Sequence, residues 1–237
     1  MNKTINISSE DFKYPSTDER INALKSYPEL SYFDFEFQPF SFTILPTDQH
    51  KKNHLFWWDK CLRSKLEKLQ ASYVYTKTHY ERGIPEDEEN FTNTNYINRT
   101  QFDFYIEVFY YYFISTRDIL FQIVNIYYDF GLKERGVNYK NLIQEKVNKE
   151  VIDLLDKFNK NISDSSEIRN SITHRYPLNH DDCRTEFDDR SEDYIYLTFK
   201  TKKAISRLEL IEDMNRSLTH LSEFVNQLKK NMKKANL

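Results

Sequence analysis

A mainly α-helical bundle, with a small β-strand or extended elaboration on its N-terminal side, is the fold class this sequence predicts. Three observations carry it. Only 3 of the 237 residues are Gly, while 18 Phe and 17 Tyr supply material for a sizeable core. Apolar residues recur at spacings of three and four over long stretches, the period of a helix with one buried face. Period-two alternation is confined to short segments.

Taken in order, residues 1–31 carry little pattern. Phe33, Phe35 and Phe37 then alternate with Asp34 and Glu36, and after Pro39 the alternation resumes at Phe40, Phe42 and Ile44. That reads as two short strands or an extended arm around a proline break. Leu55, Trp58, Leu62, Leu66 and Leu69 mark a helix over 51–80. Gly83-Ile84-Pro85 and the acidic run of 86–90 end it. The expected division is therefore an N-terminal arm, residues 1–90 (short strands plus one helix), packing on a bundle formed by residues 91–237.

Within the bundle, 98–130 reads as a long central helix closed by Gly131, with Phe102, Tyr105, Phe109, Phe113, Leu120, Val124 and Tyr127 inward. Tyr111, Tyr112, Ile119 and Phe121 make it apolar nearly all round. A second helix is expected over 138–159 through Leu142, Val147, Val151, Leu154 and Leu155. A shorter one follows at 164–176, begun by Asp164 with Glu167 as a capping box and stopped by Pro177. Tyr194 to Phe199 alternates like a short strand. The last helix, 202–234, turns Leu208, Ile211, Met214, Leu218, Leu221, Phe224 and Leu228 inward.

Composition bounds the function. The net charge of −3 gives no global basic field, so a nucleic-acid site has to be a local patch. Cys61 and Cys183 lack zinc spacing and read as reduced thiols. Met1 to Pro15 is polar throughout, and the longest apolar stretch, Val108 to Thr116, is well short of the roughly 20 residues that cross a bilayer. A cytoplasmic protein with no membrane partner is expected. His180, Asp181, Asp182 and Cys183 suggest metal ligation only superficially, because zinc wants about four convergent ligands and no second cluster follows. No metal and no cofactor are expected.

The chemistry concentrates in Arg169-Asn170-Ser171-Ile172-Thr173-His174. At roughly 100° per residue, Asn170 and His174 lie about 40° apart on one helix face, with Arg169 flanking them. A guanidinium, a carboxamide and an imidazole can hold a phosphodiester and move its protons without a metal. Near a helix C-terminus the charged imidazole is favoured, so a proton stays available near neutral pH. Arg175 and His180 repeat the same spacing, but Pro177 and the acidic run around them make that pair a decoy.

Arg169, Asn170 and His174, in this helix-end context, resemble the motif of the HEPN family. The resemblance covers the motif and the helical layout from about residue 98 to 235. It implies a HEPN-like helical bundle that dimerises and brings two motifs into one composite cleft. It further implies a metal-independent endoribonuclease that cleaves RNA by 2′-hydroxyl attack. Arg169, Asn170 and His174 would be catalytic, with Arg175 and Thr173 binding substrate. Many such proteins are toxins or defence nucleases, so an antitoxin or regulatory protein is a further partner that the resemblance allows. Other members keep the fold without the activity, and the alternative is a non-catalytic module that binds RNA, a nucleotide or a protein. A third reading makes the motif a structural cap in a helical adaptor.

Other features have simpler readings. Glu107 and Asp118 on the central helix could orient a motif side chain, although an ordinary ion pair, such as Asp118 with Arg117, is the plainer expectation. Trp57 and Trp58 should split between core and interface. Lys229, Lys230, Lys233 and Lys234 read as a solvated face, with auxiliary RNA binding second.

Overall fold

The computed structural model describes residues 8, 12–39, 47–85, 89, 91–145, 148–174, 185–190, 195–199 and 204–235. Its helices are α1 (Thr17–Leu24), α2 (Thr47–Glu81), α3 (Asn93–Tyr127), α4 (Tyr139–Gln144), α5 (Lys149–Asn161), α6 (Ser163–His174) and α7 (Arg207–Ala235), with a 3-10 turn at Glu134–Gly136. Strands β1 (Thr185–Arg190) and β2 (Ile195–Phe199) lie between α6 and α7 in sequence. Together these make the predicted helical bundle.

The centre is the pair α2 and α3, each 35 residues and so about 50 Å long at 1.5 Å per residue. They run antiparallel. Lys51 meets Asp129 at one end (2.6 Å), and His79 meets Asn98 at the other (3.1 Å). Leu55, Leu62, Leu66, Leu69 and Tyr73 of α2 share one core with Phe102, Phe109, Phe113, Leu120 and Val124 of α3. Thr92 and Asn95 form the capping box that starts α3, five residues earlier than the sequence pattern suggested. Past its end, Asp129 and Gly131 both take left-handed backbone angles (φ 54° and 74°), turning the chain back.

The expected helix over 138–159 is two helices. Asn138 caps α4 through the Asn141 amide, and Asn148 caps α5 through the Val151 amide. A second N-cap inside one apolar pattern begins a new helix, and Glu145 between them is extended. Val147 lies outside the described residues. The last helix begins at Arg207, where Ser206 and Glu209 make a capping box. Leu208 is consequently exposed and does not face inward, whereas Leu210, Ile211, Met214, Leu218, Leu221, Phe224 and Leu228 are buried.

Of the two readings of the N-terminal alternation, short strands or an extended arm, the structure corrects the first. Residues 28–39 form no strand. The amides of Phe33 and Asp34 each donate to the Asp59 carboxylate at 2.7 Å, and that of Phe35 at 3.3 Å. Gln38 donates to Asn53 at 2.8 Å. Side chains of α2 therefore take the donors that a neighbouring strand would have taken, and Asp34 sits at φ 64°, which breaks an extended run. The alternation is real in another sense, since Phe33 and Phe35 stack at 5.5 Å on the core. Phe40, Phe42 and Ile44 lie outside the described residues.

The strand read at 194–199 is β2, and it pairs antiparallel with β1 through Thr185↔Phe199 and Arg190↔Ile195, with a bulge between Phe187 and Asp189. The sequence pattern marked no strand at β1. Lys229 is half-buried over the Phe33 ring and bonded to Ser31, while Lys230 and Lys233 are exposed. Lys234 has no described side chain. Trp58 packs on the core and Trp57 is exposed, as expected of the pair. Among the described residues, no helix is long and apolar enough to cross a membrane.

One buried polar node joins three helices. Asp213 of α7 is 4 % exposed, and its Oδ2 accepts from Tyr110 of α3 and from Ser165 of α6, both at 2.9 Å. Ser165 and Ser217 share a further short hydrogen bond. Oδ1 accepts from Arg216 at 2.7 Å, and Arg216 also reaches Asp164 at 3.1 Å. Burial, with the Asp213 charge beside it, pushes the Tyr110 hydroxyl well above its ordinary pKa, so it stays a donor. Asp164 thus lies within the first turn of α6, tied to α7, and not at the cap position.

This packing can be tested at two points. Asp213→Ala leaves the buried Tyr110 and Ser165 hydroxyls without this acceptor, and should cost about 1–3 kcal/mol in urea denaturation. A cost within about 0.5 kcal/mol would show that the node is dispensable. His79 is 1 % exposed, and burial lowers its pKa below the ordinary value, with the nearby Arg82 charge adding to the effect. A depressed folded value means the unfolded chain binds the proton first. Stability is therefore full above about pH 6.5 and falls as pH drops through the folded value. His79→Gln should flatten the decline in Tm over that window, and an unchanged slope would assign the decline to other groups.

Candidate functional site

Helix α6 presents Ser165, Ile168 and Ser171 inward, all buried. Two of those three are small and polar, which allows a close approach to α3 and α7 but buries little apolar area. Along α3 it runs antiparallel: Arg117 donates to Ser166 near the start of α6 (3.4 Å), while Arg169, Ile172 and Thr173 lie against Glu107, Val108, Tyr111 and Tyr112 near its end. These seven residues line a groove of about 290 Å³.

Arg169 is half-buried at the groove wall. Its Nη1 donates to the Asn170 carbonyl oxygen at 3.2 Å, so the two neighbours predicted to act together do touch. Its Nε is buried and has no hydrogen-bond partner among the described residues. Asn170 is exposed, and with its oxygen engaged by the guanidinium its amide N–H groups remain as donors. The pair offers donors, the complement of a phosphate or another anion.

Thr173 also lines the groove, but its hydroxyl donates to the Arg169 carbonyl at 2.9 Å. Toward a phosphate it would present only lone pairs unless that bond is given up. His174 is the last residue of α6, so the backbone places it one turn beyond Asn170 on the same face. Its side chain lies outside what is described, as do Arg175 and the decoy His180. The same holds for Asp181, Asp182 and Cys183.

Asp118 takes the plain role expected of it, paired with Arg117 at 2.8 Å. Glu107 opens into the groove beside Arg169. Burial, aided by the Asp103 charge, raises its pKa. Cys61 is a free thiol, pushed up by burial.

Sequence reasoning missed the opposite wall. Tyr111 and Tyr112 were read only as evidence that α3 is apolar all round, yet Tyr111 is 52 % exposed and faces the motif groove. The signal was the pair of adjacent tyrosines on a helix whose inward positions were already filled. Larger grooves exist, of about 420 Å³ between α5 and α7 and about 760 Å³ between residues 34–38 and the facing ends of α2 and α3, but neither includes a motif residue.

A model of a HEPN-like domain family matches residues 58–236, well over half of the chain. No curated protein and no solved structure matches it. The match runs from the first third of α2 to the end of α7, through every helix that builds the groove. With its helical fold and that match together, the chain belongs to the HEPN domain family.

Proposed function

We propose that this protein is a metal-independent endoribonuclease working as a homodimer at a composite site of two motifs. The observation that carries the reading is Arg169. Its Nε is buried without a partner among the described residues, and its Nη1 is steadied by the Asn170 side-chain oxygen at the edge of an open groove. A buried N–H left unbonded costs about 1–3 kcal/mol, so a fold that keeps one at a groove wall suits a ligand bearing an acceptor. The substrate assigned here is RNA.

In this mechanism neutral His174 takes the proton of a ribose 2′-hydroxyl. The oxygen attacks the adjacent phosphorus, forming a P–O bond as the bond to the 5′-oxygen breaks. The partner subunit's His174, protonated, gives its proton to that leaving oxygen. Arg169 donates to the non-bridging oxygens as their negative charge grows, and Asn170 orients the imidazole or bonds the phosphate. Arg175 adds positive charge. The products carry 2′,3′-cyclic phosphate and 5′-hydroxyl ends. A toxin or defence setting in the cytoplasm, with an antitoxin or regulatory protein, fits such an activity.

Cleavage should survive excess EDTA, because the proton transfers use imidazole alone, and fragments should carry cyclic phosphate by mass spectrometry. DNA should resist, lacking the attacking hydroxyl. Activity abolished by EDTA and restored by a divalent ion would overturn the mechanism.

Mutation separates chemistry from folding. His174→Ala should lower cleavage by roughly 10² to 10⁴-fold, the usual worth of general acid–base catalysis. Arg169→Ala should be severely impaired and Arg169→Lys should not rescue it, since an ammonium cannot reproduce the planar fork. His180→Ala should stay near wild type, and Tm should hardly move in any of them. If His174→Ala cleaves as fast as wild type, the nuclease reading ends.

A further inference from the structure

Resting on the nuclease reading, we infer that Tyr111 and Tyr112, with Lys65 and Lys68, form a stacking platform for the bases of single-stranded RNA leaving the Arg169 groove. Lys65 Nζ lies 5.5 Å from the Tyr111 ring centre and 5.2 Å from that of Tyr112, and Lys68 Nζ lies 5.7 Å from the Tyr112 ring. On the other side, both tyrosines line the groove with Arg169. A strip thus crosses the molecule from α2 cations, over α3 aromatics, to the α6 guanidinium.

Two features of this strip favour a single strand over a surface left bare by chance. Tyr111 keeps 52 % of its surface open although it sits among cations, so a flat apolar face and phosphate-binding charge coincide. Its ring stands at 76° to that of Tyr112, with centres 5.2 Å apart, which braces it against rotation. A rigid ring stacks bases at low entropic cost, and flanking ammonium groups meet the phosphates on either side. Any base has a π-face, so this recognition is tolerant of sequence. Bases held in a duplex cannot reach it, which makes the preferred class unpaired RNA.

The test is fluorescence anisotropy of the protein with two probes of equal length, both 2′-O-methylated: oligouridylate, and an abasic ribose-phosphate strand. Tyr111→Ala should weaken oligouridylate binding roughly 5- to 150-fold, the range for losing one stacked base, and leave the abasic strand unaffected. Tyr111→Phe should bind within about twofold of wild type, because the ring face is kept. Lys65→Ala with Lys68→Ala should weaken both probes and flatten the salt dependence, by about 0.7 in log–log slope for each phosphate no longer neutralised. Equal oligouridylate binding by wild type and Tyr111→Ala would overturn the platform. So would a Tyr111→Ala protein that becomes monomeric by light scattering while each protomer binds as before, since the strip would then be an interface between copies. The 2′-O-methyl probes cannot be cleaved, so failure of the nuclease reading leaves this measurement intact, and failure of the platform leaves the His174 and Arg169 results intact.

Discussion

The placement of α6 depends on the carboxylate of Asp213. A 12-residue helix is marginal alone in water, and this one turns two serines and Ile168 into the core, with Ile172 partly buried against it. Apolar burial on that scale holds a helix loosely. A single buried charge does what packing does not: one oxygen accepts from α3 and α6, the other from Arg216 of α7 itself. Burying a carboxylate is costly unless its lone pairs are filled, and here they are. Ser165 sits one turn before Arg169 on the same helix face, so the node that fixes the serine also sets where the guanidinium stands.

How much of this was legible follows from where each cause resides. The long helices were readable because their period is local, and Arg169, Asn170 and His174 because all three sit on one short helix. The groove that Arg169 lines was not, because its other wall comes from Tyr111 and Glu107, some sixty residues away on a helix whose apolar residues leave no single quiet face. The N-terminal alternation misled for a related reason. Phe33 and Phe35 do point one way, but Asp59 of α2 supplied the acceptors, and a carboxylate within a helical pattern gives no sign that it will cap a distant backbone. Asn148 could have been read as a cap; the continuous apolar spacing through it concealed the break.

The groove also has a particular electrical character. It pairs a guanidinium with an unused buried donor and a carboxyl whose ionisation burial opposes. In the proposed function the donors meet the phosphate, and a local site of this kind requires no basic field from a protein of net charge −3.

The N-terminal segment is fastened to the far end of the chain. The Glu29 carbonyl accepts from Ser222 at 2.8 Å, and Ser31 meets Lys229. Contacts spanning nearly two hundred residues form late, because closing so long a loop has an entropic cost that only the finished core offsets. On a ribosome, residues 29–31 are made before α7 and lack these partners until it has been synthesised, whereas α1 and residues 33–38 dock on α2. The stretch from Glu29 to Ser31 is thus the last part of the arm to be fastened.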